Sequence, residues 1–454
     1  MSAPSLLLRS TRTVLPDGVR AAAVRVLGER IASVEAWDAP ANGAEVVDAG
    51  DAVLMPGLVD THVHANEPGR TEWEGFATAT RAAAAGGVTT FVEMPLNSIP
   101  ATTSVDGLRQ KLDAAQGRCS VDVGFWGGVV PGNADDLRPL WEAGVFGFKC
   151  FLSPSGVDEF GNVGEADLRA AMPILADLGA PLLVHAEWPA VLDAVPPPSA
   201  HDDPRRYVTY LRSRPAEAET EAIRVMIALC REFGTRVHIV HLATEQALPL
   251  LRAARAEGLP ITAESCPHYL HFAAERIPDG ATEYKCAPPI RGERTRAALW
   301  EALLAGDVQM VASDHSPCPP AMKGMAAGDW FAAWGGITSL QLGLPVTWTE
   351  ARARGAGPER LAEWMSAAPA RLAGLDDRKG AIAPGRDADL VVWEPDAAFT
   401  VDAEVLQHRH PVTPYAGGVF CGVVRSTYVR GQRVYHDGRF ADEPAGRTLL
   451  RDRG

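Results

Sequence analysis

Residues 57–64 read GLVDTHVH, an apolar run that closes on two histidines. Seven further apolar runs follow it: VTTFVEMP (88–95), VDVGFWGGV (121–129), GFKCFL (147–152), PLLVHAE (181–187), RVHIVHLA (236–243), PITAESCPHY (260–269) and VQMVASDHSP (308–317). Segments of helical character lie between most of them. Examples are EWEGFATATRAAAAGG, DGLRQKLDAAQG, EADLRAAMPILADLG, EAETEAIRVMIALCREFG and TEQALPLLRAARAEG. Each ends at or near a glycine, a usual helix stop. Eight strand–helix units predict a closed parallel (β/α)8 barrel. A doubly wound open sheet is the alternative.

The flanks read as short strands and turns. AAAVRVLGERIASVEAW places Gly28 at a hairpin turn, and DADLVVWEP and TYVRGQRVYHDGRF, the latter around Gly431, supply strands near the other end. Each flank is too short to make a good domain. Residues 1–53 and 380–454 are therefore expected to combine into one small β sandwich, with the barrel, 54–379, inserted in it. The Pro-rich excursion WPAVLDAVPPPSAHDDPRRYVTYLRSR (188–214) follows the fifth strand. It reads either as a lid or as a plain surface insertion.

Bulk properties narrow the function classes. A length of 454 residues suggests about three domains at ~150 residues each, but a barrel can take ~250 residues as one domain. With 46% apolar and 22% charged residues, an ordinary buried core is expected. The net charge of −14 comes with no long Lys/Arg run, which argues against a nucleic-acid or anionic-membrane partner. Seven cysteines without a CxxC pair point to reduced thiols and a cytoplasmic home. MSAPSLLLRSTRTVLPDG lacks the apolar stretch of a signal peptide. No window approaches the ~18 apolar residues of a membrane span.

Barrel enzymes place their chemistry at the C-terminal ends of the strands. The first strand ends there in His62 and His64. Residues i and i+2 share one side of a strand, so both rings can face one metal. The fourth strand offers Lys149, the fifth His185, the sixth His241 and the eighth Asp314. A lone buried histidine is most often a hydrogen-bonded core residue, but six metal-compatible groups converging from five strands are not. His238, three residues before His241, is expected to face the opposite side and to be structural. His201, His408, His410 and His436 are read as structural too.

Lys149 sits in an apolar run, where a buried ammonium costs several kcal/mol even after relaxation. Two readings stand on position alone. The lysine pairs with a carboxylate. Or its amine, kept neutral by burial, takes up carbon dioxide and becomes an anionic carbamate able to bridge two metals. In the second case Phe148 and Cys150 point the other way, into the layer between barrel and helices.

At these residues the sequence is similar to the cyclic amidohydrolases of the amidohydrolase superfamily, and within them most to the allantoinase branch. The resemblance spans nearly the whole chain: PGLVDTHVHANEPGRTEWEGFATATRAAAAGGVTTFVEMPLNSIPAT, GFKCFLSPSGVDEF, LVHAE, VHIVHLAT, ESCPHYL, KCAPPIR, ASDHSPCPPAMK, AWGGI, HRHPVTPYAG and GAIAPGRDADLVVWEP follow in family order. It implies that His62, His64 and Asp314 bind the more buried of two divalent metals, that His185 and His241 bind the second, and that carbamylated Lys149 bridges them. Zinc is the usual expectation, though this ligand set also suits iron, cobalt or manganese. The resemblance further implies hydrolysis of the ring amide of allantoin to allantoate, in purine breakdown, by a homotetramer. Asp314 would move the proton from the attacking water to the leaving nitrogen.

Substrate contacts are expected from Asn97, Ser153 and the loop APPIR (287–291), notably Pro288 and Ile290. Hydantoinases and dihydropyrimidinases typically carry a tyrosine shortly after the bridging lysine. CFLSPSGVDEF has none, and Ser153 stands near that place. Dihydroorotases tend to use an arginine beside the HxH pair, whereas HVHANEPGR offers Arg70 further along. A non-enzymatic scaffold would have lost metal ligands, and here all six positions are filled.

Overall fold

The computed structural model describes residues 5–402 and 404–452. Strands β1 (Ser5–Leu15), β2 (Gly18–Leu27) and β3 (Arg30–Glu35) run as an antiparallel meander. Gly28, at φ 60°, makes the β2–β3 turn, a left-handed conformation that glycine takes without the Cβ penalty. β4 (Glu45–Asp48) and β5 (Val53–Pro56) both pair parallel with β1.

The eight apolar runs fold as the barrel. β6 (Leu58–Val63), β7 (Val88–Glu93) and β8 (Asp122–Phe125) form one parallel sheet. β9 (Gly127–Gly128), β10 (Phe148–Phe151), β11 (Leu182–His185), β12 (Val237–Ile239), β13 (Ile261–Ser265) and β14 (Met310–Val311) form a second. β8 and β9 are halves of one strand, broken at Trp126, whose amide donates to the Glu93 carbonyl at 3.0 Å. Gly128 is required there: a Cβ would sit 2.5 Å from the Phe160 ring. At the opposite seam the His64 amide donates to the His315 carbonyl at 2.9 Å. Both seams are bridged, so the sheet is a closed (β/α)8 barrel and not an open doubly wound one.

Alternation along the strands sorts the core. Val59, Val92, Leu183, Val240, Met310 and Ala312 cluster on the barrel axis. Phe91, Phe148, Cys150, Val184 and Ile239 join the larger cluster shared with the helices. Lys149 lies between Phe148 and Cys150 and opposite Leu183, so its side chain takes the inward direction.

Beyond the barrel, β15 (Leu390–Thr400), β16 (Val419–Val429), β17 (Gln432–His436) and β18 (Arg439–Phe440) are antiparallel neighbours. β15 pairs with β5, Leu390 opposite Pro56, and joins both chain ends in one hydrogen-bonded path. The path folds over a core in which Leu8, Val24 and Ile31 meet Leu390, Val392 and Tyr428. This is the β sandwich. Its sheet runs on to Pro56, past residue 53. Near the C-terminus the chain returns to the barrel: Gly446 N donates to Cys119 O at 2.8 Å, Val123 N to Arg447 O at 2.9 Å and Arg451 N to Gly144 O at 2.8 Å. Among the described residues, no helix is long and apolar enough to cross a membrane.

Candidate active site

The strand ends deliver their polar groups to one floor. His62 and His64 come from the end of β6, and both are buried. The Nε2 of His62 lies 3.2 Å from Asp314 Oδ1, and that of His64 lies 3.7 Å from the same oxygen. From β11 and the turn after β12, His185 Nδ1 and His241 Nε2 stand 3.0 Å apart. Lys149 is fully buried, and its Nζ has no hydrogen-bond partner. A cavity of about 380 Å³ opens above this floor, within the size range of small-molecule sites.

Asp314 reaches the site differently from its sequence reading. The eighth strand does not carry it at its end, because β14 stops at Val311. Asp314 instead adopts φ 44°, and the cavity residues His241 and Asn97 adopt φ 41° and 66°. Left-handed backbone is uncommon outside glycine and costs of order 1–3 kcal/mol.

His238 corrects the sequence reading. It was expected to face away from the site, yet its Nε2 donates to Glu264 Oε2 at 3.1 Å, and Glu264 accepts from His62 Nδ1 at 2.5 Å. The spacing argument failed because β12 ends at Ile239 and the left-handed turn at His241 resets the direction. His238 therefore sits beneath the site and supports it through Glu264.

Two carboxylates escaped the sequence reading. Glu264 holds His62. Glu187 accepts from His185 Nε2 at 2.8 Å and receives Arg214 in a two-pronged pair, Nε at 2.9 Å and Nη2 at 2.5 Å. Carboxylates behind ligating imidazoles fix tautomer and ring orientation. Each lies within a run already singled out, PLLVHAE and PITAESCPHY, but only the folded contacts reveal the role.

Electrostatics prepare the rings as ligands. Burial lowers His64 to about 4 and also lowers His185 and His241, so these three carry free lone pairs at neutral pH. Burial lowers Lys149 to about 8, against the pull of Glu264 and Asp314. For Asp314, burial favours the protonated form, but the surrounding histidines, His62 foremost, outweigh it and hold the carboxylate below its usual range.

Of the expected substrate contacts, Asn97 lines the cavity, its Nδ2 3.4 Å from His64 Nδ1. Ser153 does not. It is fully buried beneath the wall formed by Pro154, Ser155 and Gly156. Pro288 and Ile290 also stand behind the wall, their carbonyls occupied by the hydroxyls of Tyr269 (2.6 Å) and Tyr207 (2.6 Å). Cys286 and Ala287 take the surface instead. The excursion 188–214 contributes Tyr210, Ser213 and Arg214 to the wall, facing Lys285 and Trp334.

A mouth-facing cluster of histidines, an aspartate and a buried lysine on a closed barrel defines a metal-dependent hydrolase. The chain belongs to the amidohydrolase family, whose family model matches residues 53–434, and it is a metal-dependent cyclic amidohydrolase. Within that family its relatives are allantoinases. That of Streptomyces avermitilis is 53% identical over 100% of both chains. That of Arabidopsis thaliana is 45% identical over 98% of this chain and 90% of its own. That of Escherichia coli is 37% identical over 98% of each. Among solved structures, L-hydantoinase from Arthrobacter aurescens superposes with a TM-score of 0.93 at 31% identity, covering 99% of this chain and 100% of its own.

Proposed function

We propose that this chain hydrolyses the ring amide of allantoin and opens the hydantoin ring to give allantoate. The observation that carries the reading is the convergence of His62, His64, His185, His241, Asp314 and Lys149 on one cavity floor. Likeness to allantoinases along the whole chain supports the choice of substrate.

The residues present fit two divalent cations. Glu264 accepts from His62 Nδ1–H, which leaves His62 Nε2 as the ligand atom, 3.2 Å from Asp314 Oδ1. Glu187 accepts from His185 Nε2–H, which leaves His185 Nδ1 as the ligand atom, 3.0 Å from His241 Nε2. A cation placed between these atoms would take a lone pair from each. His62, His64 and Asp314 would hold one cation and His185 and His241 the other. Lys149 would bridge both as a carbamate: its neutral amine adds to carbon dioxide, a C–N bond forms and one proton leaves. Zinc is the expected metal, with iron, cobalt and manganese as alternatives. When bound, such cations lower the pKa of water and polarise a carbonyl.

The chain's own groups supply the rest. Asp314, held ionised, accepts the proton of the attacking water and delivers it to the ring nitrogen as the C–N bond breaks. Asn97 lies against His64 and can orient the ring amide. Arg214, fixed by Glu187, gives the far wall a donor for the ureido and ring oxygens, while the Tyr210 hydroxyl is spent on the Cys286 carbonyl at 2.7 Å. The excursion thus acts as part of the binding wall.

We also propose a homotetramer working in the cytoplasm, as the family resemblance implies. The seven cysteines are free thiols, as a reducing compartment keeps them. Sedimentation tests the assembly. A panel of allantoin, hydantoin, dihydrouracil and dihydroorotate tests the function with metal-loaded enzyme. The expected result is the highest kcat/KM on allantoin. A higher value on hydantoin or dihydrouracil would overturn the substrate and leave the reaction class standing.

A further inference from the structure

One histidine near the floor takes no part in the chemistry above. His268, just after β13, is fully buried, and neither of its ring nitrogens has a hydrogen-bond partner. An orphaned buried polar group costs about 1–3 kcal/mol, so an imidazole with two asks for an explanation. Its neighbours supply one. Ligand atoms of His268, Cys266 and Asp314 lie within 4.8 Å of one another, and all three residues are buried. The trio is distinct from the set of His62, His64 and Asp314, with which it shares only the aspartate.

A thiol, an imidazole and a carboxylate make a mixed S/N/O donor set. Hard cations such as magnesium take oxygen ligands and neglect thiols. Zinc and its borderline-soft relatives accept all three donors and are content with three protein ligands and one open position. Asp314 lines the cavity while Cys266 and His268 lie behind it, so an arriving cation meets the carboxylate first.

We propose that Cys266, His268 and Asp314 form a further, inhibitory binding site for a thiophilic divalent cation of the zinc class. On binding, the Cys266 S–H bond breaks, its proton goes to solvent and a sulfur–metal bond forms. His268 donates a ring lone pair, and no electron changes hands. Asp314 is drawn away from proton transfer, so turnover falls as the site fills. That loss of turnover rests on the function proposed above; the binding itself does not.

The test starts from holoenzyme already carrying its two metals and titrates it with zinc alone, then with cobalt as a spectroscopic probe. The expected result is a third equivalent bound with release of one proton, a thiolate-to-cobalt charge-transfer band in the near ultraviolet, and a fall in kcat of at least about tenfold. Cys266→Ala and His268→Asn are expected to keep two metals and basal turnover while losing the third equivalent, the band and the sensitivity to zinc. Absence of the band in the unaltered enzyme would overturn the site, and that result needs no variant to fold. Zinc inhibition undiminished in Cys266→Ala would also overturn it. A third cation bound with full turnover would overturn the inhibitory role. Proton count and band are read with or without turnover, so failure of the allantoin reading stays separate from failure of this one.

Discussion

A lysine amine with no partner, wholly inside a barrel, is out of equilibrium with its surroundings unless something joins it. Burial holds Lys149 at about 8, so a sizeable neutral fraction exists near neutral pH. Lys149→Ala is expected to lose binuclear loading, because this side chain is the one ligand both cations would share. Metal analysis reads the loss directly, and a short carboxylic acid added with metal should return part of it. A variant with full metal content and unchanged rate would make the lysine structural. Asp314→Asn keeps the shape but cannot take a proton. Its expected cost is ~10²–10⁴ in kcat with the fold intact by circular dichroism. Retention of both metals with a loss under about tenfold would end the proton-transfer role. Both residues were legible in the sequence because each is a charged group set inside an apolar run. Glu264 and His238 were not: their roles exist only where β12 and β13 lie side by side, His238 opposite Thr262. Ser153, Pro288 and Ile290 failed as cavity residues because a sequence segment names a loop, and not which of its atoms faces inward.

At the scale of elements, the excursion 188–214 is tied to the metal floor through one carboxylate. Arg214 ends it, Glu187 opens the preceding turn, and His185 lies at the end of β11. Burial favours the protonated form of Glu187, but Arg214 and His185 outweigh it and hold it below its usual range. Glu187→Gln halves the pair and weakens the hold on His185. Loss of such support typically costs 10–100-fold in metal affinity or activity, and a chelator competition measures it. Arg214→Met should instead raise KM more than it lowers kcat, since Arg214 lines the wall and reaches the metal floor only through Glu187. Equal effects on both parameters would place Arg214 in the chemistry. The strands themselves are shorter than their apolar runs. VQMVASDHSP yields only Met310–Val311, because the run's later residues leave the ladder in order to present Asp314.

For the whole molecule, barrel and sandwich are locked by buried charge. Lys379 Nζ meets Asp389 at 2.5 Å, Asp122 at 2.7 Å and Asp387 at 3.1 Å, and Arg430 pairs with Asp122 as well. Asp122 belongs to β8 of the barrel, whereas Asp389 and Arg430 flank sandwich strands. Lys379→Met leaves Asp389 without its cation, while Asp122 keeps Arg430 and Asp387 keeps Arg30 and Arg378; the expected cost is about 3–5 kcal/mol, to be read by denaturant unfolding. The sign with pH follows from the direction of the lysine's shift: burial would lower it, but Asp389 and Asp122 outweigh burial and raise it above its ordinary value. The stabilisation is fully present below the ordinary 10.5 and fades only as pH climbs through the raised value above it. Raising the pH from about 7 to about 10 should therefore leave this contribution intact. A loss of the wild-type excess over Lys379→Met in that interval would contradict it. The sandwich was legible from its alternating strands and glycine turns. The return of residues 446–451 to the barrel was not, because that stretch has no periodicity and docks edge-on through its backbone.

That return has a consequence for how the protein is made. Val123, in the third barrel strand, waits for Arg447, and β5 waits for β15. Neither partner is synthesised until the whole barrel has been made. Pairings this distant in sequence close late and slowly. The nascent barrel must therefore leave the ribosome with its third strand uncovered and its first sheet lacking a neighbour. Such unpaired edges are prone to aggregation. Recombinant yield should thus respond to chaperone supply and growth temperature more strongly than the stability of the finished protein would suggest, and a C-terminal truncation before Gly446 should lower soluble yield before it touches the active site.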